Sequence, residues 1–143
     1  MLQIAKKPDD IDIDKLLKLY DIKGENAQDL ISYITDTFFN VDGSAYYIFA
    51  DAGNYITALR TEPYQDGFLI SGLHTHTSYR RQGYATLLLR TAVEELSGSV
   101  YSHIACNNIA SIRVHSLCGF KKICDYARLL DGTVSSRYIT MKL

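Results

Sequence analysis

The stretch Ser78–Arg90, SYRRQGYATLLLR, constrains the fold more than any other part of the chain. It leads from an alternating segment, FLISGLHTHT, straight into apolar residues of helical period. The chain must therefore pass from strand to helix within a few residues, with Gly83 at the turn and two arginines beside it. The apolar positions Ala85, Leu88, Leu89, Ala92, Val93 and Leu96 form one helix face. Gly98 is expected to end that helix. A helix start leaves its first amides unpaired and carries partial positive charge. Gly83 has no side chain, Ala85 has a small one, and Arg80 and Arg81 add attraction for an anion. The unit is predicted to cradle a phosphate or pyrophosphate. The patterns GxxxxGK[ST] and GxGxxG are absent, which argues against P-loop nucleotide hydrolysis and dinucleotide redox chemistry.

The flanking segments fix the fold class. MLQIAK reads as a short strand. DIDKLLKLYD is a helix with Ile13, Leu16, Leu17 and Tyr20 on one side and Asp12 or Asp14 as cap. NAQDLISYITDTFF repeats the pattern with Leu30, Ile31, Ile34 and Phe38, capped by Asn26. SAYYIFAD and YITALRTE form a hairpin across Gly53-Asn54, PYQDG turns the chain, and FLISGLHTHT is the next strand. SVYSHIAC is a further strand, and NNIASIRVHSLCGF a short helix with an Asn cap that ends at Gly119. KKICDYARLL and VSSRYITMKL close the chain as a hairpin around Asp131-Gly132. The order β-α-α-β-β-β-α-β-α-β-β predicts one α/β (α+β) domain over residues 1–143, a mixed sheet carrying helices rather than a doubly wound parallel sheet.

With 47% apolar and 22% charged residues, the composition is that of a water-soluble domain. No apolar run approaches bilayer length and the N-terminus lacks a cleavage-site pattern, so a cytoplasmic protein without membrane contact is expected. Cys106, Cys118 and Cys124 are odd in number and lack CxxC spacing, the pattern of reduced, packed thiols. Residues 1–66 carry 12 acidic and 6 basic side chains, and residues 67–143 carry 4 and 9. The halves thus have opposite charge, which suits two ligands of opposite sign. The chain has no interleaved basic–aromatic patch and its net charge is −1, so nucleic acid is not an expected partner.

Arg80-Arg81-Gln82-Gly83-Tyr84-Ala85 resembles the R/Q-x-x-G-x-G/A signature of the GCN5-related N-acetyltransferases (GNAT). NNIASIRVHSLCGF resembles that family's N-x-x-S/A…G-F segment through Asn108, Ser111, Gly119 and Phe120. Thr75 and Thr77 stand where Val and Pro are common. The resemblance implies a GNAT fold of about seven strands, mostly antiparallel, with about four helices. It implies acetyl-CoA as cosubstrate, with Arg81 to Thr86 holding the pyrophosphate. Main-chain groups of Leu73, His74 and Thr75 would hold the pantetheine arm and the thioester, and Asn108 would support the cofactor. It also implies a monomer or homodimer.

The chemistry would be direct acetyl transfer to a primary amine, of a small molecule or a polypeptide, in a ternary complex with no acyl-enzyme and no metal. Helical spacing puts Asn108, Ser111 and His115 on one stripe. His115 stands where many relatives carry a Tyr that serves as general acid, and is expected to protonate the thiolate, to hydrogen-bond the sulfur, to line the cofactor or to pack. His103 stands where relatives that acetylate protein N-termini carry a Glu serving as general base, and is expected to take a proton, directly or through water, or to be a strand residue with a hydrogen-bonded ring. His74 and His76 share a strand face, without supporting metal ligands. Glu62 and Asp66 flank the second turn and are expected to meet an amine, to act as a base or, as turn residues, simply to be solvated. Asp21, Glu25, Asp29 and Asp36 would attract the amine, with DIKGEN as a lid. The alternative is a non-catalytic acyl-CoA sensor of the same fold.

Overall fold

The structure, a computed structural model, describes all 143 residues. In chain order the elements are β1 (Leu2–Ala5), α1 (Ile13–Tyr20), α2 (Glu25–Asp36), β2 (Ala45–Asp51), β3 (Asn54–Tyr64) and β4 (Gly67–Thr75). Then follow α3 (Tyr84–Glu94), β5 (Ser99–Ala105), α4 (Ile109–Leu117), β6 (Lys121–Cys124), β7 (Ala127–Arg128), β8 (Val134–Ser135) and β9 (Tyr138–Lys142). Seven strands make one sheet in the order β1-β2-β3-β4-β5-β9-β6. Every neighbouring pair is antiparallel except β4–β5. The mixed, mostly antiparallel sheet with four helices is the predicted class. The closing hairpin is split: β6 pairs with β9, while β7 and β8 form a small ribbon of their own.

Strand alternation sends side chains to two faces. One face packs Leu16 and Leu19 of α1 and Ile34 of α2 on Tyr46, Ile48 and Ala58. The other packs Leu88, Leu89 and Ala92 of α3 on Tyr47, Leu59 and Ile70.

The β4–β5 pair positions the site. It is zipped over Gly67↔Ser99 to Ile70↔Ser102 and no further, although both strands continue. Two glycines permit the closed end. A Cβ on Gly67 would lie 1.8 Å from the Ser99 carbonyl oxygen, and one on Gly98 would lie 2.6 Å from that of Asp66. Beyond Ile70, β4 is deflected by an irregularity opposite β3, where Ala58 pairs with His74 but Arg60 with Ser71. Gly72 sits in it with φ of +65°. The strands part there, and the β5-facing edge of β4 is left without a strand partner.

Several local expectations are corrected. Gly98 does not cap α3, which ends at Glu94; it is the close-approach residue just described. Asp12 caps α1 through the Lys15 amide, whereas Gly24, not Asn26, precedes α2. Leu19 is buried on α1 where Leu17 was expected. Phe38 lies in a 3-10 turn after α2, still in the core. The strand ends at Thr75, and Thr77–Tyr79 form a 3-10 turn.

Candidate functional site

The parted strands open into a cleft of about 940 Å³. Its walls are the end of β4 (Leu73, His74, Thr75), the turn and first residues of α3 (Arg80, Arg81, Gly83, Tyr84, Ala85, Thr86), and one side of α4 with Asn108 before it (Asn108, Ser111). The two sequence motifs thus face each other. Tyr79, Ala110, Arg113 and Val114 complete the lining and were not anticipated. Gln82 is exposed beside the cleft and donates a long bond, 3.5 Å, to the Ser78 carbonyl.

The floor of the cleft is a set of backbone donors. Arg81 and Gly83 both have positive φ, +62° and +85°, so the turn curls its amides inward. No side chain caps α3, and none of the amides from Arg81 to Thr86 donates to another protein group. A Cβ on Gly83 would meet nothing within 4 Å, because that space is open cleft. Arg80, Arg81 and Arg113 surround it and no acidic residue lines it. Such a site binds a polyanion.

Thr75, one of the two departures from the family pattern, has a local role. Thr75 donates its hydroxyl to that of Thr57 at 3.0 Å, and Thr57 donates to the His74 carbonyl at 2.9 Å. Arg80 Nε reaches the Thr75 carbonyl at 3.0 Å. These bonds fix the end of β4 against the α3 turn.

The histidines are dispersed. His115 is 1% exposed and does not line the cleft. Its Nδ1–H donates to the Ser111 carbonyl at 2.7 Å, and its ring packs edge-on against Phe120 at 5.1 Å. His115 follows Ser111 by one turn on the same stripe of α4, but its ring is turned in against Phe120 rather than into the cleft. Burial lowers the His115 pKa, partly offset by the Ser111 bond. His103 lies on β5 on the opposite sheet face, edge-on to Tyr64, with Nε2 enclosed and unpartnered. Burial lowers its pKa too. His74 packs on Tyr20, while His76 accepts the Ser78 amide at 3.1 Å.

That opposite face holds what the sequence reading undervalued. Strand register aligns Tyr46, Arg60 and Ser71 in one row where β4 and β5 part, and His103 comes next after Ser102, the last β5 residue paired with β4. Glu62 is not a turn residue: it lies within β3 on the same face, 8% exposed. Burial raises its carboxyl pKa, and Arg60 moderates the rise. Asp66 lies at the closed end instead, held by Tyr101 at 2.7 Å and Ser99 at 2.9 Å, and these bonds lower its pKa. The parity of Ala58, Arg60 and Glu62 in YITALRTEPY was the available signal. Asp21, Glu25, Asp29 and Asp36 are all exposed; what α1 and α2 turn toward Arg60 is Tyr20 and Tyr33.

No helix is long and apolar enough to cross a membrane. No three His, Cys, Asp or Glu side chains group closely enough to hold a metal ion.

No curated protein matches the sequence significantly. Solved structures do match in fold. An IAA acetyltransferase from Bacillus cereus ATCC 14579 aligns with TM-score 0.68 at 15% identity, over 100% of this chain and 97% of that one. The ribosomal-protein-S18-alanine N-acetyltransferase from Escherichia coli aligns with TM-score 0.67 at 16% identity, over 100% and 93%. The PaiA N-acetyltransferase from Thermoplasma acidophilum, in complex with coenzyme A, aligns with TM-score 0.67 at 12% identity, over 99% and 98%. The acetyltransferase (GNAT) family model matches residues 12–120, a span that includes both motifs and the cleft between them. The chain belongs to the GNAT acetyltransferase family.

Proposed function

We propose that the protein transfers the acetyl group of acetyl-CoA to a primary amine, directly and within a ternary complex. The observation that carries this reading is the row of unpaired amides from Arg81 to Thr86, at the mouth of the parted strands and flanked by arginines. The pyrophosphate rests on those amides. The pantetheine arm lies along Leu73–Thr75, completing the unpaired edge of β4, and Asn108 and Ser111 form the facing wall. The acceptor approaches from the α1/α2 face.

An alkylammonium has a pKa near about 10 and must lose a proton to attack. We assign that proton to Glu62. Its carboxylate has a raised pKa and no hydrogen-bond donor, and it keeps some contact with solvent. His103 lies on the same face, but its free Nε2 is enclosed. His115 is left as a packing residue. A thiol of pKa about 8.5 leaves as thiolate near neutral pH without a dedicated donor. Cys106 bonds the Ser136 carbonyl and takes no part.

The burial of His115 also favours a second reading, a non-catalytic acyl-CoA sensor. Release of free CoA thiol in the presence of amines separates the two. Amine-dependent release supports the transferase, and tight acetyl-CoA binding with no release on any amine supports the sensor.

A further inference from the structure

Arg60 has no carboxylate in contact with its guanidinium; Glu62 acts on it only at longer range. It projects from β3 on the α1/α2 face and is half-buried. The rings of Tyr33 and Tyr46 flank its guanidinium at 5.4 and 5.9 Å. Its Nη1 makes one long contact, 3.5 Å, to the Tyr46 hydroxyl, which is itself paired with that of Tyr20 at 2.6 Å. Nε is enclosed and has no acceptor. Nη2 has no acceptor either, yet keeps contact with solvent. The molecule's two ion pairs, Lys15–Asp12 and Lys122–Asp125, lie elsewhere, so no carboxylate stands within 4 Å of Arg60. This holds although its half of the chain carries 12 acidic residues. Tyrosine rings and neutral phenols attract a guanidinium but leave its planar fork of donors unfilled. The group that fills such a fork is a carboxylate, bound through two parallel hydrogen bonds.

Position gives the donors a purpose. A Cβ on Gly72 would lie 3.0 Å from the Arg60 guanidinium, so the charge sits against the deflection in β4, one residue from Leu73. Gly72 is exposed, leaving that spot open. Glu62 follows two residues later on the same face, about 6.5 Å along the strand. The face thus offers a guanidinium where the strands part and, opposite Leu69 toward their closed end, a proton-accepting carboxylate. Ammonium and carboxylate are held a few atoms apart in an amino acid.

We propose that the acceptor is a small amino acid whose carboxylate docks on Arg60 while its amine faces the thioester, with Glu62 taking the amine's proton through intervening water. This rests on the acetyl-transfer reading above and names the acceptor's chemistry. The step balances: Glu62 takes one proton of the ammonium and passes it to solvent, the neutral amine nitrogen bonds the acetyl carbon, the C–S bond breaks with its electron pair on sulfur, and the nitrogen's second proton then leaves by way of the regenerated Glu62 carboxylate to solvent.

The test compares each of the common amino acids with its own amide, following CoA thiol release by the wild-type protein and by Arg60→Gln and Arg60→Lys. Acetyl-CoA affinity is measured for each protein as the check on folding and on the cofactor site. The wild type is expected to prefer at least one acid over its amide by about 10- to 100-fold in kcat/KM, the worth of a charge-assisted hydrogen bond. Arg60→Gln should bring that ratio toward one through KM, and Arg60→Lys should restore part of it. Equal use of acids and amides overturns the proposal, as does turnover of no acid by a protein that binds acetyl-CoA. A protein that fails to bind acetyl-CoA overturns the underlying acetyl-transfer reading instead.

Discussion

Gly83 and Gly53 make a matched pair. Both have strongly positive φ, +85° and +81°, and at both an added Cβ would meet nothing within 4 Å. Gly83 opens on the cleft, whereas Gly53 turns the chain between β2 and β3. Replacing either by Ala puts a methyl-bearing residue in left-handed backbone, at about 1–2 kcal/mol. A stiffer unfolded chain returns about 0.4–1 kcal/mol, so each variant loses about 1 kcal/mol of stability. For a chain of this size that lowers Tm by about 2–4 °C. The two variants should therefore melt alike. Only Gly83→Ala places its methyl where a phosphate would approach the amides. Losing one charge-assisted hydrogen bond there costs about 1.5–3 kcal/mol, or about 10- to 150-fold in Kd for CoA. Gly83→Glu adds a negative charge and should abolish binding. Calorimetry with CoA, beside thermal melts of both variants, reads each quantity separately. Equal CoA affinity in Gly83→Ala and Gly53→Ala would refute the cradle.

Glu62→Gln should lower kcat by about 10²- to 10⁴-fold, the usual worth of a general base, with CoA affinity retained. Because burial raises the folded pKa of Glu62, its stabilising contribution is full below the unfolded value and lost as pH rises through the folded one. The same variant should accordingly melt higher than the wild type at pH 7, and an unchanged or lower Tm would contradict the burial argument. His115→Ala removes a fully buried ring and should cost about 2–4 kcal/mol by denaturant titration, with kcat of the folded protein little changed; a selective loss of kcat would return His115 to the chemistry. Burial lowers the pKa of His74, His103 and His115, so their contribution is present above about pH 6.5 and is lost as pH falls through the folded values. Acid titration monitored by circular dichroism should show that loss; stability flat from pH 7 to pH 5 would contradict it. Gly67→Ala should be among the most damaging single substitutions, since its Cβ would lie 1.8 Å from the Ser99 carbonyl oxygen at the closed end of β4–β5.

The cleft between the two motifs was legible in the sequence because its information is local. Gly83, the arginines and the apolar period of α3 lie within a dozen residues, and a turn that aims amides outward is a property of that short stretch. The facing wall was legible through Asn108 and Ser111 for the same reason. What was hidden depends on distant contacts. Gly98 resembles a helix terminator until Asp66 is seen against it. Arg60 and Glu62 resemble ordinary polar strand residues until register and the α1/α2 layer show that their face is interior. His115 keeps its place one turn after Ser111, but Phe120, beyond the helix end, encloses its ring, and that contact is not written in the helical spacing.

The most direct test is calorimetric titration of acetyl-CoA with free CoA thiol followed in parallel, across polyamines, aminoglycosides, amino acids and N-terminal peptides. Saturable binding with thiol release stimulated by an amine is the predicted result. Absence of acetyl-CoA binding would contradict the account at its base, because the unpaired amides from Arg81 to Thr86 would then serve no pyrophosphate.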